Sequence, residues 1–312
     1  MLGCRFLRGA RLRPKDLSEF SYGYALTESL SQSAPAPLRA APYFPSLLVE
    51  RKKGGGYDLK PSFSGALLYV QFKLSDLMQR RNAMESKRGL FKPPFFRMPL
   101  RASAKSDQHA MLIELEASGE HVFYATPKFN TAKELDRAYL SHTDGVVRES
   151  CFFSPLRIGA LPDQKAHHVS FTHNNPVAYF CSNDPRELEA MNGRAFLKHL
   201  EGLKPARINH ETLRRTAERM QQIVLKELTY GPFRRIYEVK KYREKTYEQL
   251  REELSEARVL PRDMSQRQLD AFDEIEDVAR NLRRLQERPP PEQVAYLART
   301  FFGCEVIRVE AD

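Results

Sequence analysis

The hydrophobic pattern changes period several times along the chain. Over residues 16–33 the apolar positions Leu17, Phe20, Tyr24 and Leu30 fall near helical spacing. Asp16 can cap this helix, Glu19 follows three residues later, and Gly23 weakens its middle. Four prolines between Ala34 and Pro45 mark a linker or extended loop. Residues 46–50 read as a strand, Gly54-Gly55-Gly56 as a turn, and the next short extended run carries Asp58. A second turn, Pro61 to Gly65, leads into the apolar run Ala66 to Leu74. Residues 74–89 are polar and basic, a helix or a long loop, and 91–101 are aromatic and prolyl. A helix is expected over 106–117, capped by Ser106 or Asp107 and ended by Gly119. A strand follows over 121–125, then a helix over 131–139 with Thr131 and Glu134 in capping-box spacing. After an irregular stretch at 152–161, strands are expected at 169–171 and 177–181.

Beyond Asp184 the character changes. Residues 186–200, 211–228, 237–256 and 265–287 all read as helices, followed by a short helix at 292–300 and a strand-like end at 304–309. This predicts an α/β domain over 1–184 and a predominantly helical region over 185–312.

Charge adds to that picture. The 312 residues carry a net charge of +10, which favours a polyanionic partner. The distribution is uneven. Thirteen basic residues lie between Arg51 and Lys105, against the acids Asp58, Asp76 and Glu85. Lys52, Lys53, Arg80, Arg81, Arg97 and Arg101 are the candidate nucleic-acid contacts. Phe91, Phe95 and Phe96, interleaved with Lys92 and Arg97, suit either base stacking or core packing, and core packing is favoured. Four scattered cysteines with no C-x-x-C pair argue against a zinc ribbon and fit a reduced, cytoplasmic setting. The basic start MLGCRFLRGARLRP lacks an apolar stretch and reads as a flexible arm, not a secretory signal. No apolar run reaches the length of a membrane span.

The chemistry centres on the run Ala66 to Leu74. With a period of two, Gln71 and Lys73 share a face and Phe72 points the other way. A lysine inside such an apolar run is costly without a compensating acid, and Asp58, across the expected hairpin turn, is the candidate. His167, His168 and His173 cluster elsewhere, but neighbouring strand residues face opposite ways, which is poor geometry for a shared metal. Walker, dinucleotide-binding, nucleophile-elbow and H-E-x-x-H patterns are absent from the sequence.

An acid on one strand followed by acid-x-Lys on its hairpin partner resembles the PD-(D/E)xK nucleases. Over about residues 16–130 the chain is similar to that restriction-endonuclease-like superfamily, in the Gln-x-Lys form of Mrr-type enzymes. Tyr57 stands at the usual proline and Gln71 at the second acid. The resemblance implies an αβββαβ core and magnesium-dependent hydrolysis of phosphodiesters in nucleic acid, DNA ahead of RNA. It further implies a setting in bacterial restriction or phage defence. It makes Asp58 the main metal carboxylate, Phe72 a carbonyl ligand and Gln71 a neutral one. Lys73 becomes the group that orients water or stabilises charge. Glu28, on the preceding helix, becomes a second acid, with Glu50 as a substitute. A polar residue opening the later helix (Asp107, Gln108 or His109) can reach such a site, although Asp107 is equally explained as a cap and His109 reads as a surface or packing histidine. The alternative is a non-catalytic nucleic-acid-binding or assembly subunit on a degenerate nuclease fold. In either case the helical region is the expected surface for a protein partner or a second copy.

Overall fold

The computed structural model describes residues 16–33, 62–237 and 278–310. It is a mixed α/β structure with two sheets. The central strand is β1 (Ser62–Phe72). It pairs in parallel with β4 (His121–Pro127) through Leu68–Phe72, and antiparallel with β11 (Glu305–Glu310) through Gly65–Val70. Residues Ser62–Gly65 pair antiparallel with β10 (Ala206–Asn209). Beyond β4 the sheet continues through β5 (Ser150–Phe153) to β9 (Met191–Asn192). The second sheet is antiparallel, in the order β2 (Asp76–Met78), β3 (Phe95–Leu100), β6 (His167–Phe171), β7 (Val177–Cys181) and β8 (Arg186–Glu189).

The apolar run forms a strand covered on both faces, which is why it reads as continuous hydrophobicity. Leu67 and Tyr69 pack towards Met111, Leu112 and Leu115 of α3 (Gln108–Ala117), and towards Met220 and Val224 of α8 (His210–Tyr237). On that side Leu297 of α9 (Pro290–Leu297) and Phe302 of the π-helical turn Ala298–Phe302 close the layer. Leu68 and Val70 pack with Tyr22, Leu26 and Leu30 of α1 (Glu19–Ser33) on the other face. There Phe196 of α7 (Gly193–Glu201) stacks on Phe152 at 3.7 Å between ring centroids.

Gly23 has a packing role in α1. A Cβ at this position would lie 2.5 Å from Cδ2 of Phe72 and 2.7 Å from its Cε2. The glycine that weakens the helix on propensity grounds lets α1 lie against the end of β1. Gly23→Val is expected to destabilise the protein by about 2–3 kcal/mol, an overpacking penalty added to a β-branched helix residue. Urea denaturation measures it, and an unchanged midpoint would show that Phe72 swings aside freely.

Several expectations are met. The capping box of α4 (Ala132–Ser141) forms, with Thr131 and Glu134 satisfying each other's backbone N–H groups. Phe91, Phe95 and Phe96 are all buried, in agreement with core packing. Others are corrected. Ser62–Gly65, expected to turn, are strand residues paired with β10. The edge of β1 opposite β4 is occupied by β11, where the Asp58 strand was expected. Val306, Ile307 and Val309 give β11 the β-branched character that suits this buried place. The expected strands at 46–50 and around Asp58 lie outside the described residues, as does most of 237–287. The stretch 74–89 divides into β2 and the single helical turn α2 (Met84–Lys87), because Asn82 and Gly89 punctuate it. Residues 186–200 begin as strand. The division expected near residue 184 cuts across both sheets, since β8, β9, β10 and β11 all pair with strands or residues preceding it.

Candidate functional site

The site is built at the end of β1 where the strand gives way to Leu74. The alternation holds. Phe72 turns towards α1, where its ring meets Tyr22 edge-on at 6.0 Å. Gln71 continues the Leu67–Tyr69 row on the other side. Only 4% of Gln71 is exposed. Its Nε2 donates to the carbonyl of Phe302 at 3.5 Å, a long contact, and its Oε1 is buried without a hydrogen-bond partner. A buried amide oxygen left unpaired costs about 1–3 kcal/mol. Gln108, the first residue of α3, comes to the same place. A Cβ on Gly303 would lie 2.0 Å from Gln108 Nε2 and 2.8 Å from Gln71 Nε2. Gly303 has φ +62°, so glycine supplies both the left-handed backbone and the space for the two amides.

Lys73 is 7% exposed, and its backbone N–H donates to the carbonyl of Ala125 at 2.9 Å. Burial lowers the pKa of its ammonium; the carboxylate of Glu19 opposes that shift, and the guanidinium of Arg101 reinforces it. The acid that acts on Lys73 among the described residues is therefore Glu19, in the first turn of α1. Glu28, expected as the second carboxylate of the metal site, is instead held by Tyr139, whose hydroxyl donates to Oε2, and by Gln32 at Oε1. Nine residues at 100° each bring Glu28 to the side of α1 opposite Glu19, about 14 Å further along the axis. Glu19 was legible only as a capping residue. Asp58, Glu50, Lys52 and Lys53 lie outside the described residues. The ten steps from Ser62 to Phe72 span about 33 Å, so β1 begins at the end remote from Lys73.

The other expected contacts divide. Arg80 and Arg81 are exposed after β2, and Arg101 is exposed at the end of β3. Arg97 is not available to a phosphate, because its guanidinium forks onto Glu85. His109 is buried between the hydroxyl of Tyr124 (2.8 Å) and the carbonyl of Gly159 (2.9 Å), a packing role, and burial lowers its pKa.

Glu85 heads a second polar centre. Its carboxylate is 1% exposed and accepts from Arg97 Nε (2.7 Å), His168 Nε2 (2.9 Å) and Ser170 Oγ (2.6 Å), all at Oε1. These donors hold its pKa well below the ordinary carboxylate range against the opposing effect of burial. Glu85, His168 and Cys181 could hold a metal ion, their ligand atoms lying within 4.8 Å of one another. His167 turns instead to Asp163, as the alternation of strand faces requires. The sequence showed Glu85 only as one acid in a basic stretch and Cys181 only as a strand residue. The cross-strand pairing of His168 with Cys181 brings them together.

No helix among the described residues is long and apolar enough to cross a membrane. The chain matches no family model, no curated protein and no solved structure.

Proposed function

We propose that the protein is a metal-dependent nuclease of the restriction-endonuclease-like type, cutting DNA or RNA at the end of β1 that carries Gln71 and Lys73. The observation that carries this reading is the unpartnered, buried Oε1 of Gln71 beside a desolvated Lys73. A folded protein retains such unsatisfied groups where a ligand or a reaction uses them. The β1–α3–β4 crossover, with its two strands parallel, agrees with the later part of an αβββαβ core.

Magnesium fits the donors here. It takes oxygen ligands, commonly one or two carboxylates and several waters. Gln71 offers an amide oxygen on one face of β1, and Glu19, on α1 over the other face, a carboxylate whose charge acts on Lys73. Glu19 takes the place that the sequence resemblance gives to Asp58, because Asp58 precedes by four residues a strand that begins about 33 Å from Phe72. The bound metal would neutralise phosphate charge and activate water. Lys73 holds a cation at the reacting phosphate, where it orients the attacking water or stabilises charge that develops on the phosphoryl oxygens. Arg101, exposed beside Lys73, grips a neighbouring phosphate, and Arg80 and Arg81 extend the basic track.

The test is cleavage of plasmid and single-stranded nucleic acid with and without magnesium. Wild type should cut only with the metal. Asp58→Ala and Glu19→Gln identify the acid, since loss in one variant alone assigns the carboxylate to that residue. Equal cutting by wild type and both variants would sink the site assignment. The burial of Lys73 favours a second reading, a binding or assembly subunit with a degenerate centre. Salt-sensitive binding with no cleavage would support it.

A further inference from the structure

We infer that Glu85, His168 and Cys181 form a zinc site, separate from the proposed nuclease centre, that fastens the connection between β2 and β3 to strands β6 and β7. The register assembles the donors. Arg97 lies opposite Ser170, and His168 opposite Cys181, so the side chains stand in two adjacent rows across β3, β6 and β7. Helix α2, a single turn, lowers Glu85 onto these rows. A carboxylate, an imidazole and a thiol are a donor set suited to zinc and poorly suited to magnesium.

The hydrogen bonds distinguish ligand from support. Cys181 is not needed to satisfy Glu85, whose partners are Arg97, His168 and Ser170. Its Sγ nevertheless lies 3.5 Å from Ser170 Oγ, within the same cluster. In the zinc-bound form Oε1 of Glu85, Nε2 of His168 and Sγ of Cys181 contact the ion. Arg97 keeps Oε2, and Ser170 remains as a support of the ligating carboxylate. Tetrahedral zinc needs ligand atoms roughly 3.4 Å apart, so Glu85 Oε1 and His168 Nε2 part from 2.9 Å, while pairs at the 4.8 Å limit close by about 1.4 Å. Binding releases the thiol proton of Cys181 to solvent, and the proton on His168 Nε2 moves to Nδ1. The fourth position faces a cleft of about 190 Å³ lined by Arg88, Asp163, His167 and Asn183, where water completes the shell.

Cobalt(II), a coloured substitute for zinc, tests this on the full chain after metal stripping. One equivalent should produce a thiolate-to-cobalt charge-transfer band that equimolar zinc removes. The band should vanish in Cys181→Ser and persist in Cys304→Ser and Cys151→Ser, which excludes the other buried thiols. His168→Gln should alter the visible envelope and weaken zinc binding at least about a hundredfold. Ser170→Ala should keep the band with roughly tenfold weaker binding. Folding of each variant is checked by near-ultraviolet circular dichroism. A folded wild type without the band, or a band that survives in Cys181→Ser, overturns the site.

Discussion

Lys73→Met is expected to abolish magnesium-dependent cleavage while yielding a more stable protein. The loss should be about a thousandfold, the scale on which removing one preorganised charge-stabilising donor acts. The gain should be about 1 kcal/mol, because methionine fills a similar volume without a buried ammonium. The direction follows from proton binding. Burial lowers the Lys73 pKa in the folded state, so between that value and the ordinary lysine value of about 10.4 the unfolded chain holds more protons. Wild-type stability gains a contribution as pH rises through that window, and the penalty is fully present below it. The methionine variant lacks this contribution. Urea titrations at several alkaline pH values, run beside the cleavage assay, measure both effects. A variant that is inactive and also less stable would mean that Lys73 is a structural ion-pair member rather than a functional cation.

Glu85→Ala should destabilise the protein by about 3 kcal/mol. Removing one partner of a buried ion pair typically costs 3–5 kcal/mol, since the other charge is left uncompensated. Water reaches part of Arg97, whose side chain is 24% exposed, which argues for the lower end. The effect is tied to pH. The folded-state pKa of Glu85 is depressed, so its stabilisation is complete above the ordinary carboxylate value of about 4.3 and is lost as pH falls through the folded value. Wild type should lose stability steeply in acid, and Glu85→Ala more gently, so the two denaturation midpoints converge. Parallel curves would show that Glu85 acts through packing and not through its charge.

Local signals in the sequence were read well. Thr131 and Glu134 announced a capping box, the period of two set Gln71 and Phe72 on opposite faces, and Asn174-Asn175-Pro176 marked the turn between β6 and β7. Pairing was harder to read. Nothing near Ser62–Gly65 reveals that Ala206–Asn209 will pair there and keep the residues extended. Nor does the apolar run name β11 as its neighbour. Both partners lie far along the chain, and sheet pairing is decided by complementary faces rather than by proximity in sequence. The same limit hid Glu85 and Cys181, which stand 96 residues apart in the chain (181 minus 85) and meet through the register of the second sheet. Glu19 was visible as a cap, but its approach to Lys73 depends on how Gly23 lets α1 settle on Phe72.

The place of β11 beside β1 also governs biosynthesis. Gln71 and Phe302, which meet in the finished core, are 231 residues apart. A ribosome adding about 5–20 residues per second separates their emergence by roughly ten to fifty seconds. Throughout that interval the apolar edge of β1 lacks its native neighbour, and it is the kind of edge that captures other chains. Slower translation of the distal third prolongs the exposure.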